Sequence, residues 1–249
     1  MDKIFLQKKG PLAWVWLNNP EKHNAIDQKV LDELRQAFEE LNADEETRCI
    51  VLAARGKAFS VGFDIAWMVE IDVETVANQL AGLGEIYDLI ETCRQPLIAA
   101  VDGAAMGGGL LLALVADFRL ASERALFGVP EVKIGIFPPL KLIPRLERLV
   151  GLSAAKRLVL AGQPVNGNEA YHTGLVDRIL PRGALYDQAQ ALGEQLSSLP
   201  ASAVQLSKAA FNQSGNSDYP EWEMKQFVKC WALPERERAM RDFLGTRRS

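Results

Sequence analysis

The 249-residue sequence predicts an α/β fold. Three observations carry that prediction. Short apolar runs of strand length alternate with segments whose apolar residues recur at helical spacing. Two of those runs end in glycine-marked loops that lead into helices, the arrangement in which open α/β sheets bind ligands. Beyond residue 140 helical patterns dominate, with one short strand among them.

Residues 4–17 form two short strands around Lys8-Lys9-Gly10, a turn signal, and a period of two puts Trp14 and Trp16 on one face. A polar loop, 18–26, leads to a helix over 28–42. Asp27 is its expected N-cap, and Val30, Leu31, Leu34, Phe38 and Leu41 make one stripe. A buried strand at 50–53 runs into the loop 55–64, which holds Gly56 and Gly62. A long amphipathic helix over 73–93 precedes a second buried strand at 96–101. Asp102-Gly103-Ala-Ala-Met106 and the triplet Gly107-Gly108-Gly109 follow. The next helix, 110–115, is apolar all round and so buried on every side. Residues 118–121 form another strand, and 125–139 a loop rich in Gly and Pro. Helices are expected over 140–149, 153–161, 167–173, 183–198, 202–213 and 221–244, interrupted by a strand at 175–180. A boundary near Pro200 divides a βα core, 1–200, from a helical C-terminal segment, 201–249.

The glycine triplet is the centre of the pattern. Glycine lets backbone approach a ligand closely, and the first N–H groups of a helix have no partner within it. Those donors favour an anion, or an oxygen about to become one. Tight packing of helix on sheet would explain the same letters. A phosphate loop is excluded, because neither Lys-Ser nor Lys-Thr follows the glycines and the G-x-G-x-x-G register is missing.

Composition narrows the function further. Hydrophobic residues make up 48% and charged residues 24%, which is ordinary for a globular chain. A net charge of -4 gives no reason to expect nucleic acid. Cys49, Cys93 and Cys230 are odd in number and far apart, as reduced thiols are. His23 and His172 are too few for a His-rich metal site. The opening residues do not read as a secretory signal, and apolar runs of about 18 residues are missing. A cytoplasmic protein that neither enters a membrane nor binds nucleic acid is expected.

Four ordered motifs carry a resemblance that covers essentially the whole chain. They are Asn19-Pro-Glu-Lys-His-Asn-Ala25, Gly56-Lys-Ala-Phe-Ser-Val-Gly-Phe-Asp64, Ala100-Val-Asp-Gly103 through Gly109, and Phe127-Gly-Val-Pro-Glu131, with a similar ending at 243–248. Together they resemble the crotonase, or enoyl-CoA hydratase/isomerase, superfamily. The resemblance implies a crotonase-like spiral of ββα units with a helical C-terminal trimerisation region. It also implies a homotrimer or dimer of trimers that acts on acyl thioesters. Coenzyme A would enter as part of the substrate, with no permanently bound cofactor.

Residue by residue, the family's two oxyanion donors map onto the backbone N–H of Phe63 and of Gly108. Lys22, Ala25, Ala58, Ser60, Gly62, Asp64 and Ile65 match the segments around its adenine and pantetheine, although Lys22 also suits a solvated surface position. His23 is read as a loop residue without chemistry. Many hydratases of the family carry a lysine where this chain has Ala66, so the CoA phosphate needs another cation or stays solvated. Near Phe243, Arg247 and Arg248 could reach a neighbouring subunit's ligand, or stay in solvent. The expected acyl pocket is Met68, Leu111, Ile136 and Phe137.

The count of acid–base groups points to a reaction. A hydratase of this family holds two glutamates over the substrate. The place of the first is Leu111 here, which can neither hold a proton nor position a water; the second matches Glu131. Isomerases of the family keep only the latter. The expected reaction is therefore migration of a double bond from a 3-enoyl to a 2-enoyl thioester, with Glu131 as proton shuttle. A hydratase, hydrolase or decarboxylase using Glu131 with a partner such as Asp64 or Tyr87 is one alternative. A non-catalytic member that binds acyl-CoA or a partner protein is another.

Overall fold

A computed structural model describes residues 2–213, 217–236 and 238–240. The chain opens as an antiparallel hairpin, β1 (Ile4–Lys9) with β2 (Leu12–Leu17). Helix α1 (Gln28–Ala43) starts where Asp27 accepts the Val30 N–H, and its expected stripe is entirely buried. Then come β3 (Cys49–Ala54), a single-turn α2 (Ile65–Met68), α3 (Val73–Thr92) and β4 (Leu97–Val101). The glycine region gives β5 (Ala104–Met106) and α4 (Gly108–Leu114), followed by β6 (Phe118–Ser122) and β7 (Leu126–Gly128). Next are α5 (Leu142–Ala161), β8 (Val165–Asn166), α6 (Gly167–His172), β9 (Arg178–Leu180), α7 (Leu185–Ser197), α8 (Ala201–Gln213) and α9 (Tyr219–Trp231).

Six strands form one sheet in the order β1-β2-β3-β4-β6-β9, parallel from β2 onward. Its central strands are buried on both faces, as parallel strands between helical layers must be. Val15, Leu52 and Ala99 face α1, α3 and α4, whereas Trp14, Val51 and Ile98 face α7. Trp14 and Trp16 share the second face and stack 5.1 Å apart, with Tyr186 edge-on to both. A second, small sheet, β5-β7-β8, stands beside the first.

Several elements differ from the sequence reading. The strands of the small sheet, β5, β7 and β8, lie in stretches read as loop or helix boundary. Strands of two or three residues carry no period from which to recognise them. The buried helix α4 begins at Gly108 rather than at 110. Helix α5 matches the two expected segments, because Gly151 breaks it at φ 73 and ψ 164. Helix α9 ends at Trp231, and the helix expected to run to 244 is broken there, with helical residues again at 234–236 and 238–240. Leu233 precedes Pro234, and a residue before proline is driven out of the helical region. Phe243, Arg247 and Arg248 lie outside the described residues.

Two buried polar groups tie the layers together. Lys208 of α8 reaches the Gln95 carbonyl and the Asp117 carboxylate, both at 2.8 Å, and so fastens α8 beneath β4 and β6. At the other end of those strands, buried Asp102 accepts from Ser122 Oγ at 2.7 Å, from Arg124 twice at 2.6 Å and from Arg182 at 3.1 Å. Burial raises the Asp102 carboxyl, but the hydrogen bonds from Arg124 and Ser122 outweigh it and hold the group below its ordinary 3.8. A carboxyl lowered on folding stabilises the fold fully above its unfolded value, and that contribution fades as pH falls below it. Asp102→Ala is expected to lower stability by about 1.5–3 kcal/mol at neutral pH. Denaturant unfolding at pH 7 and pH 3 checks this, with a smaller difference at the lower pH.

Among the described residues, no helix is long and apolar enough to cross a membrane. Cys49 and Cys93 are buried free thiols, and burial pushes the Cys49 thiol up to about 12.

Candidate active site

Strand register assembles the site. Ser60 pairs with Ala105 across an isolated parallel bridge, which lays Gly62 and Phe63 beside Gly107 and Gly108. In the small sheet Met106 pairs with Gly128, so Glu131, three residues on, arrives beside the same glycines. Two close approaches follow. A Cβ on Gly62 would stand 3.3 Å from the Gly108 nitrogen, and one on Gly107 would stand 2.5 Å from Glu131 Oε1.

Peptide planarity then aims the donors. The Gly62 carbonyl accepts the Ile26 N–H at 2.8 Å, so the Phe63 N–H, in the same trans peptide, points away from Ile26. Likewise the Gly107 carbonyl accepts the Leu111 N–H at 2.9 Å, so the Gly108 N–H points out of the start of α4. Neither N–H meets a protein acceptor among the described residues. Both Gly62 (φ 91) and Gly107 (φ 50, ψ -118) occupy backbone conformations that side-chain-bearing residues avoid.

A cavity of about 640 Å³ opens onto these groups. Phe63, Trp67, Met68, Leu83, Ile136 and Phe137 give it apolar walls. Among the described residues that line it, Glu131 is the one carboxylate. Its Oε2 is buried without a hydrogen-bond partner, and burial raises its carboxyl above the ordinary 4.5. Such a group holds its proton to a higher pH than an exposed carboxyl does, which suits one that must both take and return a proton.

The other expected site residues fall into distinct places. Met68, Ile136 and Phe137 line the cavity, as do Gly62 and Ile65. Leu111, expected in the acyl pocket, does not line it. At 1% exposure it packs into the main core with Leu110 and Leu112. Ala25 and Ala58 are buried. Ser60 is fully buried, and its hydroxyl donates to the Asn24 carbonyl at 2.7 Å and accepts the Gly62 N–H at 3.2 Å. Lys22 Nζ lies 2.9 Å from Asp64 Oδ2, a pairing that lowers the Asp64 carboxyl and raises the Lys22 amine. Asp64 also caps α2.

Three groups make contacts here that the sequence did not assign to them. The Asn24 amide donates to the carbonyls of Arg55 and Ala58, both at 2.9 Å, and so clamps the loop that carries Phe63. The Phe63 ring covers the Cα of Gly108. Tyr87 donates from its hydroxyl to the Gly108 carbonyl at 3.1 Å. Asn24 and Phe63 both stand inside quoted motifs, whereas Tyr87 was expected only as an alternative partner of Glu131.

Comparison with known proteins places this geometry among relatives. The chain matches the family described as enoyl-CoA hydratase/isomerase over residues 7–248. It is 34% identical to a crotonyl-CoA hydratase of Syntrophomonas wolfei, over all of this chain and 97% of that one. To a short-chain-enoyl-CoA hydratase of Clostridium acetobutylicum it is 33% identical, over 100% and 97% of the two chains. The crystal structure of an enoyl-CoA hydratase from Bacillus anthracis superposes with a TM-score of 0.93 at 27% identity, over 98% of this chain and 96% of that one.

Proposed function

The chain belongs to the enoyl-CoA hydratase/isomerase family, and on that premise we propose that it moves the double bond of a 3-enoyl-CoA to the 2-position. The thioester carbonyl sits between the Phe63 and Gly108 N–H groups. Glu131 takes a proton from the alpha carbon, and the electron pair of that C–H bond spreads into a dienolate. The two fixed donors stabilise the oxygen more as it gains charge than in the ground state, which is what accelerates the step. Glu131, now protonated, gives the proton to the gamma carbon, and the conjugated thioester leaves. One carboxyl serves as base and then acid, so neither water nor a second ionisable group enters the balance.

The observation that carries this reading is the lone carboxylate, Glu131, in an apolar cavity. Hydration is the second reading, favoured by the names of the three relatives described above, all of them hydratases. It needs a second group to hold and activate water, and among the described residues that line the cavity there is no second carboxylate to do so. Coenzyme A is then part of the substrate rather than a resident cofactor, and the working assembly is a homotrimer or a dimer of trimers. Isomerisation of 3-hexenoyl-CoA, compared with hydration of crotonyl-CoA by the same enzyme, tests the proposal. The expected result is a higher kcat/KM for isomerisation; faster hydration would assign the chain to the second reading.

A further inference from the structure

The far side of the paired amides is held by a residue that touches no substrate. Tyr87 projects from α3 and is 1% exposed, among the largest fully buried side chains. Its hydroxyl donates to the Gly108 carbonyl at 3.1 Å, in the open first turn of α4. Its ring stands edge-on to Phe63 at 6.5 Å, at an interplanar angle of 78°. The Phe63 ring in turn lies against Gly108, where an added Cβ would come within 2.9 Å of Cε2. Tyr87, Phe63 and Gly108 thus form a closed set of contacts containing both residues whose N–H groups face the cavity.

We propose that Tyr87 is a positioning residue that holds the Phe63 and Gly108 amides at one spacing. The inference rests on the reading of those amides as an enolate-binding pair. Its physical basis is that donors stabilise a developing charge only when fixed before the charge appears. Gly108 has no side chain to lock it, and it follows a glycine in a strained conformation, so the first turn of α4 needs an external brace. The hydroxyl supplies one by hydrogen bond, and the ring supplies the other through Phe63. Burial pushes the phenol pKa up, so the group remains a neutral donor across the working pH range.

Tyr87→Phe removes the hydroxyl and keeps the ring. It is expected to lower kcat about 10- to 100-fold, the scale of effect that a small misplacement near the reacting atoms produces. KM should change little, because the cavity walls are untouched. The second readout is the carbonyl stretch of bound butyryl-CoA labelled with carbon-13 at the thioester carbon. In the unmutated enzyme the stretch moves to lower frequency on binding, and in Tyr87→Phe it moves less. Equal kcat and equal stretch in the two proteins would overturn the proposal while leaving the enolate-binding reading intact. A stretch that does not move even in the unmutated enzyme would sink that reading, and this proposal with it.

A measurement on the native protein covers a variant that fails to fold. Four tyrosines occur in the sequence, so the ζ-carbon of Tyr87 can be followed by NMR after tyrosine labelling. Its resonance should shift when butyryl-CoA binds, since the hydroxyl senses the Gly108 peptide. An unmoved resonance would count against the brace.

Discussion

Glu131→Gln lowers kcat for double-bond migration about 100- to 10,000-fold, the range for a positioned acid–base group. The amide keeps the shape of the carboxyl and cannot carry the proton, so KM changes little. Stability should hold or rise. Burial raises the Glu131 carboxyl on folding, so above that raised value the ionised group disfavours the folded state, and a neutral amide does not. The unmutated enzyme loses kcat/KM as pH falls, with a limb above the ordinary carboxyl value of 4.5, because the protonated acid cannot take the alpha proton. Steady-state rates across pH 4.5–8 check both statements. An acid limb at the same place in the residual activity of Glu131→Gln would mean that another group titrates.

Gly62→Ala is expected to have the second large effect. The added Cβ would meet the Met106 carbonyl at 2.7 Å and the Gly108 nitrogen at 3.3 Å, so the two amide-bearing loops must part. Loss of one such donor costs about 100- to 1000-fold in rate. The φ of 91 adds backbone strain, of order 1–3 kcal/mol. Gly10→Ala separates the two causes. Gly10 also has positive φ, at 59, but nothing lies within 4 Å of its would-be Cβ. That variant should lose some stability and keep its kcat. If Gly62→Ala lost no more activity than Gly10→Ala, the close approach at Gly62 would have no part in catalysis.

The layered α/β plan was legible because its signals are local. The stripe of α1, its Asp27 cap and the shared face of Trp14 and Trp16 each follow from a period that a short window contains. The glycines at 62 and 107 were legible for a similar reason, since a strand exit that needs positive φ or close contact selects glycine. What joins those glycines was not. Their meeting depends on Ser60 lying opposite Ala105 and Met106 opposite Gly128, pairings between segments too short to show a period. The orientation of Leu111 was hidden too. In a helix where Leu110, Leu111 and Leu112 are all apolar, no amphipathic stripe says which of them would face a cavity, and all three prove to lie in the main core. Tyr87 stood in the sequence only as an alternative partner of Glu131, and nothing marked it as the support of the Gly108 carbonyl, because a buried aromatic on a helical stripe looks the same whether it only packs or also holds a carbonyl.

The most direct test follows the proton. A 3-enoyl-CoA carrying deuterium at the alpha carbon is converted in ordinary water, and the position of the label in the product is read by NMR and mass spectrometry. A carboxylate that carries the proton between two carbons without exchange with water predicts deuterium at the gamma carbon of the 2-enoyl product. A product without label at that carbon, or a 3-hydroxyacyl thioester in its place, would contradict the account.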